Sequence, residues 1–204
     1  MATPQLERPL SALDAIYTRR SVRSFTNKTI DEATVCALLD AAVQAPTAML
    51  EQPWLFVVVQ DERLLRSLSD LAKTLWIREP LLRPSSHRAE ESIPPAAIAA
   101  RLADPDFNIF YDATTLVVIC ARRADGFITA DCWMAAENLM LAASALGLGT
   151  CCIGGALPAL NSPEGKEALG IPPDVSAIAP IVIGVPSGAA APVPRRDPEI
   201  VSWR

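Results

Sequence analysis

The sequence predicts an α+β protein, and three observations carry that reading. Four short runs rich in β-branched and apolar residues look like strands: Leu55–Gln60, Thr114–Ala121, Thr150–Ile153 and Ala177–Val185. Long stretches with helical spacing of apolar residues lie between most of them. No regular strand–helix–strand repeat links the four, which argues against a doubly wound parallel sheet. Taken in order, Ser11 with Asp14 forms a capping-box pattern, and Leu13, Ile16 and Tyr17 give the stripe of a short helix. A second helix is expected from Asp31 to Ala45, with Val35, Leu38, Leu39, Ala42 and Val43 on one face and Pro46 ending it. The strand at Leu55–Gln60 leads into a helix from Asp61 to about Trp76 that carries Leu64, Leu65, Leu68, Leu71 and Leu75. After the strand at Thr114–Ala121, the segment Thr129–Leu146 is nearly all apolar, so its helix should be buried on most sides. A short helix begins at Ser162-Pro163 and stops at Gly170, with proline first and glycine last.

Two segments depart from this layout. Residues 78–108 hold prolines at 80, 84, 94, 95 and 105 and most of the local charge, and read as a lid with one short helix near Ala96–Leu102. Residues 187–204 are rich in proline and alanine and should be extended, yet they end in Ile200, Val201 and Trp203, which implies docking against a second subunit. The whole of residues 1–204 is expected to form one domain, long enough to bury about 70% of its unfolded surface.

Composition narrows the function. The net charge of −5 and isoelectric point near 4.9 argue against a nucleic-acid partner, which needs a basic face. The apolar runs Leu116–Ala121 and Ala177–Val185 are too short to span a membrane. No basic-then-apolar leader opens the chain, and Arg19-Arg20 is followed by polar Ser24–Thr29 rather than by an apolar export segment, so the chain reads as cytoplasmic. Cys36, Cys120, Cys132, Cys151 and Cys152 have no metal-site spacing, and the strand cysteines read as small buried hydrophobes. His87 stands alone, and no nucleophile elbow, phosphate loop or zinc motif is present. Any demanding chemistry must therefore come from a cofactor.

Two arginine clusters mark where such a cofactor would be held. Arg19-Arg20-Ser21-Val22-Arg23 and Pro192-Val193-Pro194-Arg195-Arg196 lie near opposite ends of the chain. Arginine offers a rigid fork of donors that matches phosphate oxygens. If the fold joins the two clusters, they anchor a phosphorylated small molecule. The competing reading puts Arg19 and Arg20 in a helix's last turn and leaves Arg195 and Arg196 on a solvated tail.

Four ordered segments resemble the nitroreductase family of FMN-dependent oxidoreductases. They are Arg19-Arg20-Ser21-Val22-Arg23-Ser24-Phe25; Ala45-Pro46-Thr47-Ala48-Met49-Leu50-Glu51-Gln52-Pro53-Trp54; Glu137-Asn138-Leu139 followed by Gly147 to Gly155; and Ile183-Gly184-Val185-Pro186 with the second arginine cluster. The resemblance implies a mixed, mostly antiparallel central sheet flanked by helices, in a homodimer with domain-swapped C-terminal tails and two FMN molecules at the interface. It implies that Arg19, Ser21, Arg23 and Arg195, with Arg196, hold the FMN phosphate and ribityl chain. Arg20 either joins them or faces the pyrimidine end of the flavin. Thr47 and Gln52 would reach the flavin from the partner subunit, and the backbone of Ile153, Gly154 and Gly155 would approach the flavin N5/O4 edge. The implied reaction is ping-pong hydride transfer from NAD(P)H through FMN to nitroaromatic, quinone or similar acceptors, with no catalytic side chain and no metal. Two positions depart from the family pattern: Leu50 stands where asparagine is usual and Val193 where a cation is frequent. They motivate one alternative, a protein that sequesters or senses FMN without efficient turnover; a separate alternative within flavin chemistry is a specialised flavin oxidoreductase whose substrate the lid selects.

Overall fold

The computed structural model describes residues 10–78 and 95–204, so His87, Arg83 and Arg88 of the expected lid lie outside the described residues. Strands β1 (Leu55–Val59), β2 (Thr115–Ala121), β3 (Gly149–Cys152) and β4 (Ser176–Gly184) form a sheet of order β1-β2-β4-β3. Every pairing between these strands is antiparallel. The two central strands are continuous apolar runs because both faces of the sheet are covered. On β2, Val117, Ile119 and Ala121 pack into one core cluster, whereas Leu116, Val118 and Cys120 pack into the other. That is the two-residue alternation of a strand read out on two buried faces.

Helices α2 (Glu32–Ala42) and α5 (Gly126–Ala145) supply the first cluster, and α3 (Glu62–Arg78) and α6 (Leu157–Leu160) the second. The remaining helices are α1 (Ala12–Thr18), α4 (Pro95–Ala103) and α7 (Pro163–Leu169). The α+β class, the sheet flanked by helices and each expected strand and long helix are present, within a few residues of the boundaries read from the sequence. The differences have local causes. α2 stops at Ala42, before Pro46: the chain tightens through Gln44 N–H to the Ala41 carbonyl and Ala45 N–H to the Ala42 carbonyl, and proline has no N–H with which to continue the helix. α5 starts earlier than its apolar stripe, since the Asp125 carboxylate accepts the Ile128 N–H at 3.0 Å and nucleates the first turn over Gly126. α4 covers the short helix expected in the lid. The one-turn α6 has no amphipathic signature and went unpredicted.

The expectation that α5 is buried on most sides is not met within one chain. Cys132, Ala135, Ala136, Leu139 and Ala143 are fully covered, but Phe127, Trp133 and Met134 on the opposite side are exposed. α1 behaves likewise: its capping box is formed, yet Leu13, Ile16 and Tyr17 face outward and only Ala15 is buried. The tail from residue 187 forms no helix or strand and is exposed, including Ile200, Val201 and Trp203.

Candidate active site

After α1 the chain runs along the edge of the sheet. Ser21 bridges Thr150 in parallel register, and the Val22 N–H donates to the Thr150 carbonyl at 2.9 Å. Gly149 makes this possible, because a Cβ there would lie 2.8 Å from the Val22 side chain. Further on, Phe25 pairs with Pro186, the Thr26 N–H donates to the Val185 carbonyl at 2.8 Å, and the Ser187 N–H donates to the Ser24 carbonyl at 3.1 Å. These bonds tie the first arginine segment to the start of the tail. As a result Arg19, Arg20, Ser21, Arg23 and Arg195 line one cleft of about 700 Å³. The clusters at the two ends of the sequence thus meet, as the phosphate-anchor reading requires.

The arginines in this cleft are not equivalent. Arg19 Nε sits 3.3 Å from Glu137 Oε1 of α5. It is the C-cap of α1 rather than part of its last turn. Arg20 folds back, donating through Nη1 to the Tyr17 carbonyl at 2.8 Å and the Arg19 carbonyl at 2.7 Å, and so closes the end of α1. Among the described residues Arg20, Arg23 and Arg195 have no carboxylate partner, and no carboxylate lines the cleft. Ser24 Oγ and Ser187 Oγ lie 2.6 Å apart at its wall. Arg196 makes contacts of its own and lies outside the cleft lining.

Arg23 also lines a second, mostly apolar cavity of about 470 Å³, together with Ile153, Gly154 and Gly155. Gly154 opens a one-turn 3₁₀ helix, so its N–H has no intrahelical acceptor. A Cβ on Gly154 would meet open space, whereas one on Gly155 would press the Trp76 indole at 3.3 Å. Trp76 Nε1 donates to the Gly155 carbonyl at 2.6 Å and fixes the turn from α3. The opposite wall comes from residues 97–111. Lys73, 8% exposed, donates from Nζ to the Phe107 carbonyl at 2.9 Å, and Ser69 Oγ accepts the Ile109 N–H at 3.0 Å, so α3 pins this wall from below. Tyr111 and Asp112 both adopt left-handed backbone, with φ of 55° and 54°. Asn108 holds them there: its carbonyl accepts the Tyr111 N–H at 2.9 Å and its Nδ2 donates to Asp112 Oδ1 at 3.1 Å.

Thr47 and Gln52 lie in neither cavity. Their loop is held by the buried Asp131 of α5, whose two oxygens accept the Ala48 N–H at 3.3 and 3.1 Å, and the Gln52 N–H donates to Thr47 Oγ1 at 3.4 Å. A larger groove of about 900 Å³ along α3 and α7 shares no lining residue with the arginine cleft or the apolar cavity. Its Arg66 is satisfied by Glu62 at 3.7 Å and Asp112 at 3.9 Å.

The cysteines are unsuited to nucleophilic work. Burial pushes the Cys120 thiol up to about 12 and those of Cys132 and Cys152 up to about 11. Burial also raises Cys151, against the pull of Arg23, a Ser21 hydrogen bond and Arg19. Among the described residues no cluster of side chains could hold a metal, and no helix is long and apolar enough to cross a membrane. Trp76, Phe107, Tyr111, Asp131 and Arg101 escaped the sequence reading. They act through tertiary placement, and only the positions of Phe107 and Arg101 inside the expected lid hinted at a site.

The molecule is an α+β fold, an antiparallel sheet between two helical layers, with a cationic cleft and an apolar cavity that share Arg23. The Nitroreductase family model matches residues 16–185, and the chain belongs to the nitroreductase family. An Archaeoglobus fulgidus protein provisionally named NADH dehydrogenase/NAD(P)H nitroreductase is 30% identical over 176 residues, covering 85% of this chain and 84% of its own. An FMN-dependent nitroreductase from Clostridium difficile R20291 is 25% identical with a TM-score of 0.70, covering 96% of this chain and 100% of that one. A nitroreductase from Desulfitobacterium hafniense DCB-2, crystallised with bound FMN, superposes with a TM-score of 0.78 at 21% identity over 95% of this chain and 98% of that one.

Proposed function

We propose that this protein is an FMN-dependent oxidoreductase that moves reducing equivalents from NAD(P)H to nitroaromatic, quinone or similar flat electrophilic acceptors in a ping-pong cycle. The observation that carries the reading is that two cavities share Arg23 in their linings. One is cationic, free of carboxylates and sized for a phosphate with its ribityl chain; the other is apolar and flanked by the Gly154-Gly155 turn. When bound, FMN supplies hydride acceptance at N5 and onward donation to the acceptor.

The residues of this chain then have separable tasks. Arg23 and Arg195 bind the phosphate as fixed cations with unspent donors. Arg19, already oriented by Glu137, adds a third charge, and Ser21 adds a hydroxyl. Arg20 stiffens the end of α1 under the cleft, and Arg196 extends the cation cluster along the tail. The Gly154 and Gly155 backbone offers N–H groups to the polar edge of the flavin, an electrostatic stabilisation of charge that develops on reduction; the Ile153 N–H is spent on the Pro180 carbonyl at 2.9 Å, so Ile153 shapes the turn instead. Because Thr47 and Gln52 lie away from their own chain's cavities, they are assigned to the flavin of a partner subunit. The exposed apolar residues of α1, α5 and the tail support a homodimer with exchanged tails, in which residues 1–204 form a single domain.

The test is FMN titration of the native protein and of Arg19→Ala and Arg195→Ala. Each substitution should weaken binding by about 1.5–3 kcal/mol per lost contact to a charged group. Unchanged affinity in both variants contradicts the phosphate assignment. Leu50 and Val193 favour the second reading, FMN binding without efficient turnover; tight binding with no NAD(P)H oxidation in the presence of a quinone would establish it.

A further inference from the structure

Resting on that oxidoreductase reading, we propose that the apolar cavity takes flat aromatic acceptors bearing a carboxylate, and that Arg101 on α4 is the residue that selects them. The chain carries 23 acidic residues against 18 lysines and arginines, yet the described residues lining this cavity include Arg23 and Arg101 and no carboxylate. A cavity whose described lining pairs apolar side chains with two cations and no carboxylate, in an acidic protein, is complementary to an anion with an aromatic body.

The stacking of Arg101 sets its chemistry. Its guanidinium carbon lies 4.4 Å from the Phe107 ring centroid and 5.6 Å from that of Tyr111. Those two rings meet edge to face, with centroids 6.0 Å apart and planes at 70°, so the guanidinium sits in the corner they form and its outward N–H donors are left for a ligand. Among the described residues no carboxylate pairs with Arg101. Arg101 is also a basic residue in the last turn of α4, where any cation complements the helix end. That role needs charge alone and accounts for neither the contact with two rings nor the left-handed backbone at Tyr111. Strained backbone of that kind persists where a site requires it. Arg23 flanks the other side of Tyr111 at 6.0 Å, but it also lines the phosphate cleft and belongs to the cofactor. Arg101 lines the apolar cavity alone, so its planar fork is left for the carboxylate of an acceptor whose ring lies against the aromatic wall.

The test compares 4-nitrobenzoate with its neutral analogue 4-nitrobenzyl alcohol in the FMN-loaded protein, native and with Arg101→Gln or Arg101→Lys. Calorimetric binding of benzoate, which is not reduced, provides a readout independent of turnover. Arg101→Gln should raise the KM for 4-nitrobenzoate and the Kd for benzoate about tenfold to a hundredfold, as loss of a charge-assisted contact implies. It should leave 4-nitrobenzyl alcohol and NAD(P)H unaffected, and Arg101→Lys should fall between, keeping the charge without the fork. Equal effects on the acid and the alcohol, or no effect on either, overturn the proposal. So does a rise confined to the KM for NADH or NADPH, which would give Arg101 to a nucleotide phosphate. If the FMN-loaded native protein reduces no acceptor, the oxidoreductase reading fails instead, and benzoate binding still decides the role of Arg101.

Discussion

Leu50 shows what a single residue can cost. It sits at φ 58°, between Met49 at 54° and Gln52 at 45°, so three non-glycine residues in one short loop occupy left-handed backbone. Leucine pays a Cβ–carbonyl clash there, and with 82% of its surface exposed it recovers little by packing within its own chain. Asparagine tolerates that conformation far better. Leu50→Asn should therefore stabilise the protein by about 1 kcal/mol, visible as a raised Tm in a thermal melt; an unchanged or lowered Tm would show that Leu50 gains compensating contacts elsewhere. The sequence marked Leu50 as a departure but carried no sign of the strain, because positive φ at a leucine has no signature in composition or spacing. The arginines were legible for the opposite reason: guanidinium chemistry is written in the residue type. What could not be read was their division of labour, in which Arg20 caps α1 through carbonyls and Arg19 is held by Glu137. Nor did the sequence reveal Asn108, whose hydrogen bonds hold Tyr111 and Asp112 in their unusual backbone.

Among the secondary-structure elements, α7 tests how packing overrides propensity. Ser162 caps it, accepting the Gly165 N–H at 3.0 Å, and Gly170 ends it at φ 66°. Inside a helix, glycine to alanine would ordinarily be favourable. Here a Cβ on Gly165 would fall on the Ala159 carbonyl oxygen of α6. Gly165→Ala should thus destabilise by about 1–3 kcal/mol, the usual cost of overpacking, and lower the denaturation midpoint; a neutral or stabilising effect would mean that α7 can slide away from α6 without loss. The ends of α7 were readable from proline, serine and glycine, whereas the close approach of α6 and α7 was not. The same division runs through the fold. Strands and long helices announced themselves by apolar period, and their boundaries shifted where a cap such as Asp125 or a proline such as Pro46 acted. Missing altogether were α6 and the clamp of α3 on residues 107–109, since Lys73 and Ser69 look like ordinary surface residues in a helical stripe until the segment they bind is in place.

At the scale of the whole molecule, the exposed apolar residues demand an explanation. Leu13, Ile16, Tyr17, Phe127, Trp133, Ile200, Val201 and Trp203 all face outward in a single chain. Monomers seldom leave so many large apolar groups uncovered, and a homodimer with exchanged tails would cover them. We expect sedimentation at micromolar concentration to give a dimer, with an interface of about 2,000 Å² or more. Removal of residues 197–204 should weaken both dimerisation and FMN binding, whereas a native monomer that still binds FMN would contradict the exchanged-tail arrangement. The chemistry rests on one central claim, that FMN held by the arginine cleft and the adjoining apolar cavity carries electrons from NAD(P)H to a separate acceptor. The most direct measurement is an anaerobic pair of half-reactions on the FMN-loaded protein, followed by the visible absorption of the oxidised flavin. NADH or NADPH alone should bleach that absorption, and a quinone added after the nucleotide is removed should restore it fully. Bound flavin that stays oxidised with both nucleotides, or that is reduced only when nucleotide and quinone are present together, would contradict the account.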